Sequence, residues 1–240
     1  MPATDPARTE LARNPRRTSI TWTVRAPLAR WLAAEAARAA ADLGRYRLLD
    51  VGCGFRPYEP YFTPHATEYV GVDVDNPAAD LQGVAESLPV ADASFDVVLC
   101  TQVLEHSTDP AAVVRELRRV VAPGGRVLAS THGTAVYHPA PNDLWRWTHT
   151  GLGQLFTENG EWASVTVRPG AGTTACLAGL VATYVDLIAQ KLHARPLGYP
   201  FVWLLNVGGS MIDRTSSHLR EPGPGTIFAN FHVVAEAPES

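Results

Sequence analysis

Four short apolar runs constrain this chain more than anything else in it. They occupy residues 47–51, 68–73, 95–100 and 125–130. Leu48, Leu49 and Val51 fill the first, Val70 and Val72 the second, Val97, Val98 and Leu99 the third, Val127 and Leu128 the fourth. Strands buried on both faces have such continuous runs, whereas half-exposed strands alternate apolar with polar. Helical stretches lie between and before them. Leu28, Trp31, Leu32, Ala36 and Ala39 recur at helical spacing over 26–43, and Gly44 stands where a C-cap belongs. A second helix is predicted over 110–121, with Asp109 as N-cap and Pro110 at its first position. A weak strand is predicted near 81–84. Strands alternating with helices imply βαβ units and a doubly wound parallel sheet.

The pattern changes after Thr131. Residues 132–148 form a loop rich in His, Pro and Trp, followed by a short helix over 150–159. An alternating strand over 162–168 and a final strand over 226–235 close the chain. Residues 170–224 exceed what a strand-to-strand link needs and hold apolar stretches at 175–188 and 197–207. Each is shorter than the ~20 residues of a membrane span, and Asp186 interrupts the first. An inserted helical pair that spans no bilayer is expected, serving as substrate lid or as a homodimer face. Residues 1–25, with Arg8, Arg13, Arg16 and Arg17, read as a flexible arm, with a lid that orders over a ligand as the alternative. Residues 26–240 then form one domain.

Composition excludes several classes. With 240 residues, 46% hydrophobic and 18% charged, the chain can bury a full core, so bulk disorder is out. A net charge of −4 supplies no basic field for nucleic acid. Cys53, Cys100 and Cys176 cannot form a disulfide framework and lack paired ligand spacing, which points to a reducing cytoplasm. The polar first residues carry no apolar core of a signal peptide.

The chemistry begins after the first run. Gly52 and Gly54 permit a tight turn and close backbone approach to a ligand. Asp73 ends the second run, where a carboxylate can accept both ribose hydroxyls of a nucleoside. A dinucleotide site wants a third glycine so that a helix N-terminus receives pyrophosphate, but position 57 is Pro57. Asp50 sits in the turn instead, and a carboxylate there repels pyrophosphate and suits an ammonium or sulfonium. An NAD-dependent oxidoreductase is therefore disfavoured, and no P-loop motif exists in the chain.

Asp50-Val-Gly-Cys-Gly54 resembles motif I of the class I S-adenosylmethionine-dependent methyltransferases, and Val70-Gly-Val-Asp73 resembles motif II. The stretch 85–100 is similar to the adenine loop and fourth strand of that family. Val103-Leu-Glu-His106 and the run 116–128 resemble the next helix and fifth strand. The resemblance covers about residues 28–132 and is nearest the ubiquinone-biosynthesis-like branch. It implies a Rossmann-like α/β fold with a seven-stranded, mostly parallel sheet whose last strand is antiparallel, and S-adenosylmethionine as cofactor. It places Gly52, Cys53 and Gly54 under the methionine part, with Asp50 holding the turn or the amine. Asp73 takes the ribose, with Val74 beside it; Ala85 and Glu86 flank adenine; Thr101 and Gln102 line the pocket near the sulfonium. Two positions depart from the family: Arg56 replaces its third glycine, and Val84 replaces an aspartate before the adenine loop.

The acceptor side must come from residues beyond the fifth strand. His132 stands just past it, in the crevice where open α/β sheets bind ligands. An imidazole of unperturbed pKa near 6.5 suits proton removal from a hydroxyl at neutral pH. His106 and Asp143 are reserve candidates, and His138, Arg146 and His149 crowd the same loop. Trp145 and Trp147 either stack on a ring of the acceptor or anchor the loop. His132, His138 and Asp143 mix metal-ligand types, but their spacing matches no ligand signature, so no metal is assigned. The expected function is methyl transfer to a small-molecule acceptor, through O-methylation of a sugar or natural-product hydroxyl. The alternatives are a non-catalytic S-adenosylmethionine-binding module and an NAD-dependent oxidoreductase.

Overall fold

The strands predicted at 47–51, 95–100 and 125–130 bury side chains on both faces because helices cover both. In the computed structural model, which describes residues 6–139 and 141–239, the sheet has seven strands. They are β1 (Tyr46–Val51), β2 (Ala66–Asp73), β3 (Leu81–Gln82), β4 (Phe95–Thr101), β5 (Val121–His132), β6 (Ser164–Pro169) and β7 (Asn230–Glu236). Their order across the sheet is β3-β2-β1-β4-β5-β7-β6. β7 runs antiparallel to both neighbours, and the remaining pairings are parallel. This is the Rossmann-like α/β sheet expected from the resemblance.

Adjacent residues in one strand serve opposite layers. Leu48, Val97, Leu99 and Leu128 pack with Leu28, Leu32, Ala36 and Ala39 of α2 (Trp22–Leu43). Leu49, Val51, Val98 and Val127 pack instead with Val113, Val114 and Leu117 of α4 (Pro110–Val120) and with Leu152 and Phe156 of α5 (His149–Glu158). Asp109 caps α4 by accepting from the Ala112 N–H at 2.9 Å, and Thr148 caps α5 through the Gly151 N–H at 3.1 Å. The chain leaves β1 toward β2 and β3, then returns to β4 on the other side of β1. That reversal opens a crevice beyond the carboxyl ends of β1 and β4.

The inserted pair forms as predicted, as α6 (Thr173–Lys191) and α7 (Arg195–Asp213). Arg195 pairs with both oxygens of Asp186 at 3.0 and 2.8 Å, and Asp213 accepts the Thr174 and Ala175 N–H groups that open α6. Among the described residues α6 alone is long and apolar enough to cross a membrane; its mean hydropathy is 1.3, with 39% of it buried within the protein.

The arm expected over 1–25 differs. Its first five residues lie outside the described residues, but α1 (Pro6–Arg13) is helical and α2 starts at Trp22 rather than near Ala26. Tertiary contacts explain this: Arg13 donates to the Pro57 carbonyl at 3.0 Å, and buried Asn206 of α7 donates to the Arg17 and Ser19 carbonyls at 2.8 and 2.9 Å. A short helix, α3 (Glu59–Phe62), was not anticipated. The last strand starts at Asn230, later than residue 226, because Phe228 and Ala229 accept from Thr134 and Gly133.

Candidate functional site

A cavity of 460 Å³ fills the crevice at the reversal point. It falls in the usual range for small-molecule sites, about 300–1,000 Å³. Its floor is the turn after β1. Gly52 has φ +66°, and a Cβ there would lie 2.5 Å from Val103 Cγ2, so only glycine fits. The Gly52 and Cys53 N–H groups donate to the Val72 carbonyl at 2.8 and 3.1 Å, which bends the chain over the end of β2. Gly54 has φ +48° and open space where a Cβ would sit, so ligand atoms can approach its backbone. Asp50 is 5% exposed and lines the cavity, accepting the Tyr69 hydroxyl at 2.6 Å. Burial, only partly offset by that hydroxyl, pushes its carboxyl up to about 7. A buried carboxylate of this kind gains strongly from a cationic ligand. Cys53 is a filler, because burial raises its thiol to about 12.

Arg56 also takes a left-handed conformation, φ 51°, at the place of the family's third glycine. Its guanidinium lies over the space left by Gly71 and pairs with Asp80 at 2.6 Å. The backbone of the motif is thus kept, with a side chain tucked onto β2.

The expected cofactor residues divide into two groups. Asp50, Gly52, Cys53, Gly54, Thr101 and Gln102 all line the cavity. Asp73, Val74, Ala85 and Glu86 lie outside its walls. Asp73 accepts three backbone N–H groups, from Gly54 at 2.9 Å and from Asp75 and Asn76 at 3.0 Å each. A carboxylate offers about four lone-pair positions, so one remains for a ribose hydroxyl in this arrangement. Val74 is exposed, and Glu86 accepts the Ser107 hydroxyl at 2.6 Å and the Thr108 N–H at 3.1 Å.

The opposite wall carries a cluster that was only partly foreseen. His132 ends β5 and lines the cavity with Glu105, His106 and His138. His132 Nε2 lies 3.2 Å from His138 Nε2 and 3.6 Å from Glu105 Oε1. Glu105 is fully buried; its Oε2 accepts the Thr131 hydroxyl at 2.8 Å, while Oε1 has no hydrogen-bond partner among the described residues. Burial raises the Glu105 carboxyl to about 7 and, with His138 and Arg146 adding to it, lowers His132 to about 4. The cavity therefore presents a neutral imidazole at neutral pH, and its basicity is lower than the unperturbed value suggested.

Asp143 stands behind this cluster rather than in the cavity wall. It pairs with Arg146, accepts the His138 backbone N–H at 2.9 Å, and has Oδ1 3.2 Å from His138 Nδ1. The Arg146 guanidinium holds its carboxyl well below the usual carboxylate range, so it is an orienting anion and a poor base. Both indoles are anchors: Trp145 and Trp147 stack at 5.7 Å, Trp145 donates to the Ser107 carbonyl, and neither lines the cavity. His149 bonds to the Val167 carbonyl, away from the site. Glu105 is the residue the sequence reading missed. Its signal in the sequence is an acid beside His106 directly beyond the fourth strand.

Comparison with known proteins bears on this geometry. A family model described as a methyltransferase domain matches residues 49–129, which run from β1 through most of β5. The methyltransferase YcgJ of Bacillus subtilis is 33% identical over 114 residues, covering 41% of this chain and 43% of that protein. The ubiquinone biosynthesis O-methyltransferase of Pseudomonas aeruginosa is 32% identical over 110 residues, covering 38% of this chain and 46% of that protein. The chain thus spans less than half the length of these curated relatives. Among solved structures the cyclase SpnF superposes with a TM-score of 0.54 at 20% identity, covering 88% of this chain and 82% of that one. A protein named for cyclisation and proteins named for methyl transfer share this fold, so the fold alone does not choose the reaction.

Proposed function

We propose, from a chain that carries a class I S-adenosylmethionine-dependent methyltransferase domain, that it transfers a methyl group to a hydroxyl of a small molecule held between the β1 turn and the His132 wall. The observation that carries this reading is the single cavity that joins the two. S-adenosylmethionine, when bound there, supplies the methyl group. Asp50 is placed to receive the cofactor's ammonium, and Gly52 and Gly54 let its methionine part lie on the backbone. Asp73 offers its remaining lone pair to the ribose, and Val74, Ala85 and Glu86 flank the nucleoside end. Thr101 and Gln102 close the floor between cofactor and acceptor.

The acceptor enters against α6, where Cys176, Gly179, Leu180 and Thr183 line the cavity, and against residues 20–25. Those mostly apolar walls favour a compact natural-product or sugar hydroxyl over a polyanion, and a net charge of −4 gives nucleic acid no general attraction. Holding both reactants in one site is the main catalytic contribution, worth up to roughly 7–11 kcal/mol in ideal cases. His132, with Glu105 and His138 behind it, faces the acceptor oxygen and handles its proton. The outward face of α6 and α7, where Leu187, Ile188, Phe201 and Leu204 are exposed, is the surface a second copy would cover. The three free, buried thiols suit the reducing cytoplasm.

Calorimetry with S-adenosylhomocysteine and with NAD, followed by a mass-spectrometric screen of hydroxylated acceptors, tests this reading. Binding of the former, none of the latter, and a product heavier by one methylene unit are expected. Cofactor binding without any methylated product would turn the assignment to a non-catalytic module.

A further inference from the structure

The His132 wall has the composition and size of a metal site. Glu105, His132 and His138 each offer one ligand atom, and these atoms lie within 4.8 Å of one another. Tetrahedral zinc with Zn–N distances of about 2.0–2.1 Å places two ligand nitrogens about 3.3 Å apart. The two Nε2 atoms are 3.2 Å apart, and His132 Nε2 to Glu105 Oε1 is 3.6 Å, so both pairs that include His132 already stand near ligand spacing. Glu105 Oε1 points into this space, buried and without a hydrogen-bond partner among the described residues. A buried carboxylate oxygen without a partner beside two converging imidazoles is a costly arrangement, and a cation between them relieves it.

The surroundings fit the same role. Asp143 Oδ1 lies 3.2 Å from His138 Nδ1, so its negative charge stands behind the ring whose Nε2 faces His132. Carboxylates behind ligating histidines commonly fix ring orientation in this way. Thr131 does the same for Glu105 by donating to its other oxygen at 2.8 Å. The loop that carries His138 is tied to both other ligands, because Leu144 and Trp145 donate to the Glu105 carbonyl and Trp147 donates to the His132 carbonyl.

We propose that Glu105, His132 and His138 bind one divalent ion of the zinc class, with the acceptor cavity on its open side. Two histidines and one glutamate leave a position free, as in catalytic zinc sites. The binding site stands on this geometry, whereas its use rests on the methyl transfer proposed above. A bound hydroxyl there loses its proton to solvent as the oxygen–carbon bond forms. The carbon–sulfur bond breaks with its electron pair left on sulfur. A Lewis acid there lowers the pKa of the hydroxyl that it binds.

The test uses the untagged full-length protein, stripped with chelator and titrated with Zn²⁺, and with Co²⁺ for its visible absorption. One equivalent of zinc per chain and a cobalt band typical of four or five ligands are expected. His132→Ala and the more exposed His138→Ala should each lose at least about 100-fold in zinc affinity, since even an outer-shell change costs about 10–100-fold. His218→Ala, remote from the cluster, should bind as wild type. Binding well below one equivalent, or equal zinc affinity in His138→Ala and wild type, overturns the site. S-adenosylhomocysteine calorimetry on the same samples separates the two readings. Cofactor binding retained by protein that takes up no zinc defeats the metal site alone. Zinc uptake by protein that binds no cofactor supports the site and defeats the methyl-transfer reading.

Discussion

The β1 turn and the His132 wall line one cavity, yet they are made by opposite means. The turn is local. Residues 50–54 supply its two left-handed glycines and its acid from one contiguous stretch, and the neighbouring strand β2 holds it through Val72 and Asp73. The wall is assembled from residues 105, 132 and 138, with residue 143 behind them, and no short segment holds it. A local device tolerates change elsewhere but not within itself. An assembled one depends on every element that delivers a member to it. Substitutions on the two sides should therefore separate cofactor affinity from turnover, and the first three predictions are built to break that separation.

The largest effect is expected at His132. His132→Ala removes the central member of the wall and should lower kcat by about 10²–10⁴-fold, the range for a positioned proton-handling group. S-adenosylhomocysteine affinity should stay near wild type, because Asp50, Gly52 and Gly54 lie on the opposite wall. Turnover near wild type would show that the wall is passive and that proximity alone drives the reaction.

Asp73→Ala comes next. The ribose contact should be worth about 1.5–3 kcal/mol of cofactor affinity, about tenfold to a hundredfold. The structure adds a second consequence: Asp73 also holds Gly54, Asp75 and Asn76 by their N–H groups, so Tm should fall too. Unchanged affinity in a folded Asp73→Ala protein would sink the ribose assignment.

Asp50→Asn probes the turn by pH. The Asp50 carboxyl titrates near 3.8 in an unfolded chain and about 7 in the folded one, because it is buried. A raised folded pKa means that the folded state holds the extra proton, so this contribution to stability is full below about pH 4 and is lost as pH rises through 7. Ligand-free Asp50→Asn escapes that loss, so its Tm should exceed wild type at about pH 8 and match it at about pH 4. Cofactor affinity should run the other way. Wild type should bind S-adenosylhomocysteine more weakly as pH falls below 7, and Asp50→Asn weakly throughout. A wild-type affinity that is flat with pH would mean that Asp50 serves the turn and not the ammonium.

What was legible in the sequence follows the same division. Strand and helix order could be read because both-face burial leaves continuous runs such as 97–99, and because Asp109 and Pro110 announce a helix start chemically. The turn was legible because its residues are contiguous. The wall was not, because Glu105 and His138 acquire meaning only when β4 and β5 lie side by side, with Thr101 opposite Ser130. Asp143 reads as a reserve base for the same reason: nothing in the sequence says that Arg146 occupies it. The ordering of the N-terminal segment was equally hidden, since its partners, Pro57 and Asn206, are remote in the chain.

Asn206 gives the smallest and most discriminating prediction, because it sits on the acceptor side without touching the cavity. It is fully buried in α7, and its Nδ2 donates to the Arg17 and Ser19 carbonyls. Those bonds set the segment whose next residues, Ile20, Thr21, Thr23 and Val24, wall the cavity beside α6. Asn206→Ala loses both, at about 0.5–1.5 kcal/mol each, so Tm should fall modestly while the sheet stays intact. If the segment is a roof for the acceptor, the acceptor's KM should rise severalfold with kcat little changed, since the His132 wall is untouched. S-adenosylhomocysteine affinity should hold, because the β1 turn is held by Val72 and Asp73 and not by this segment. A lower Tm with an unchanged acceptor KM would show that residues 17–25 brace the α6–α7 pair without shaping the substrate site. An equal loss of cofactor and acceptor binding would show that the two halves of the cavity are one mechanical unit after all.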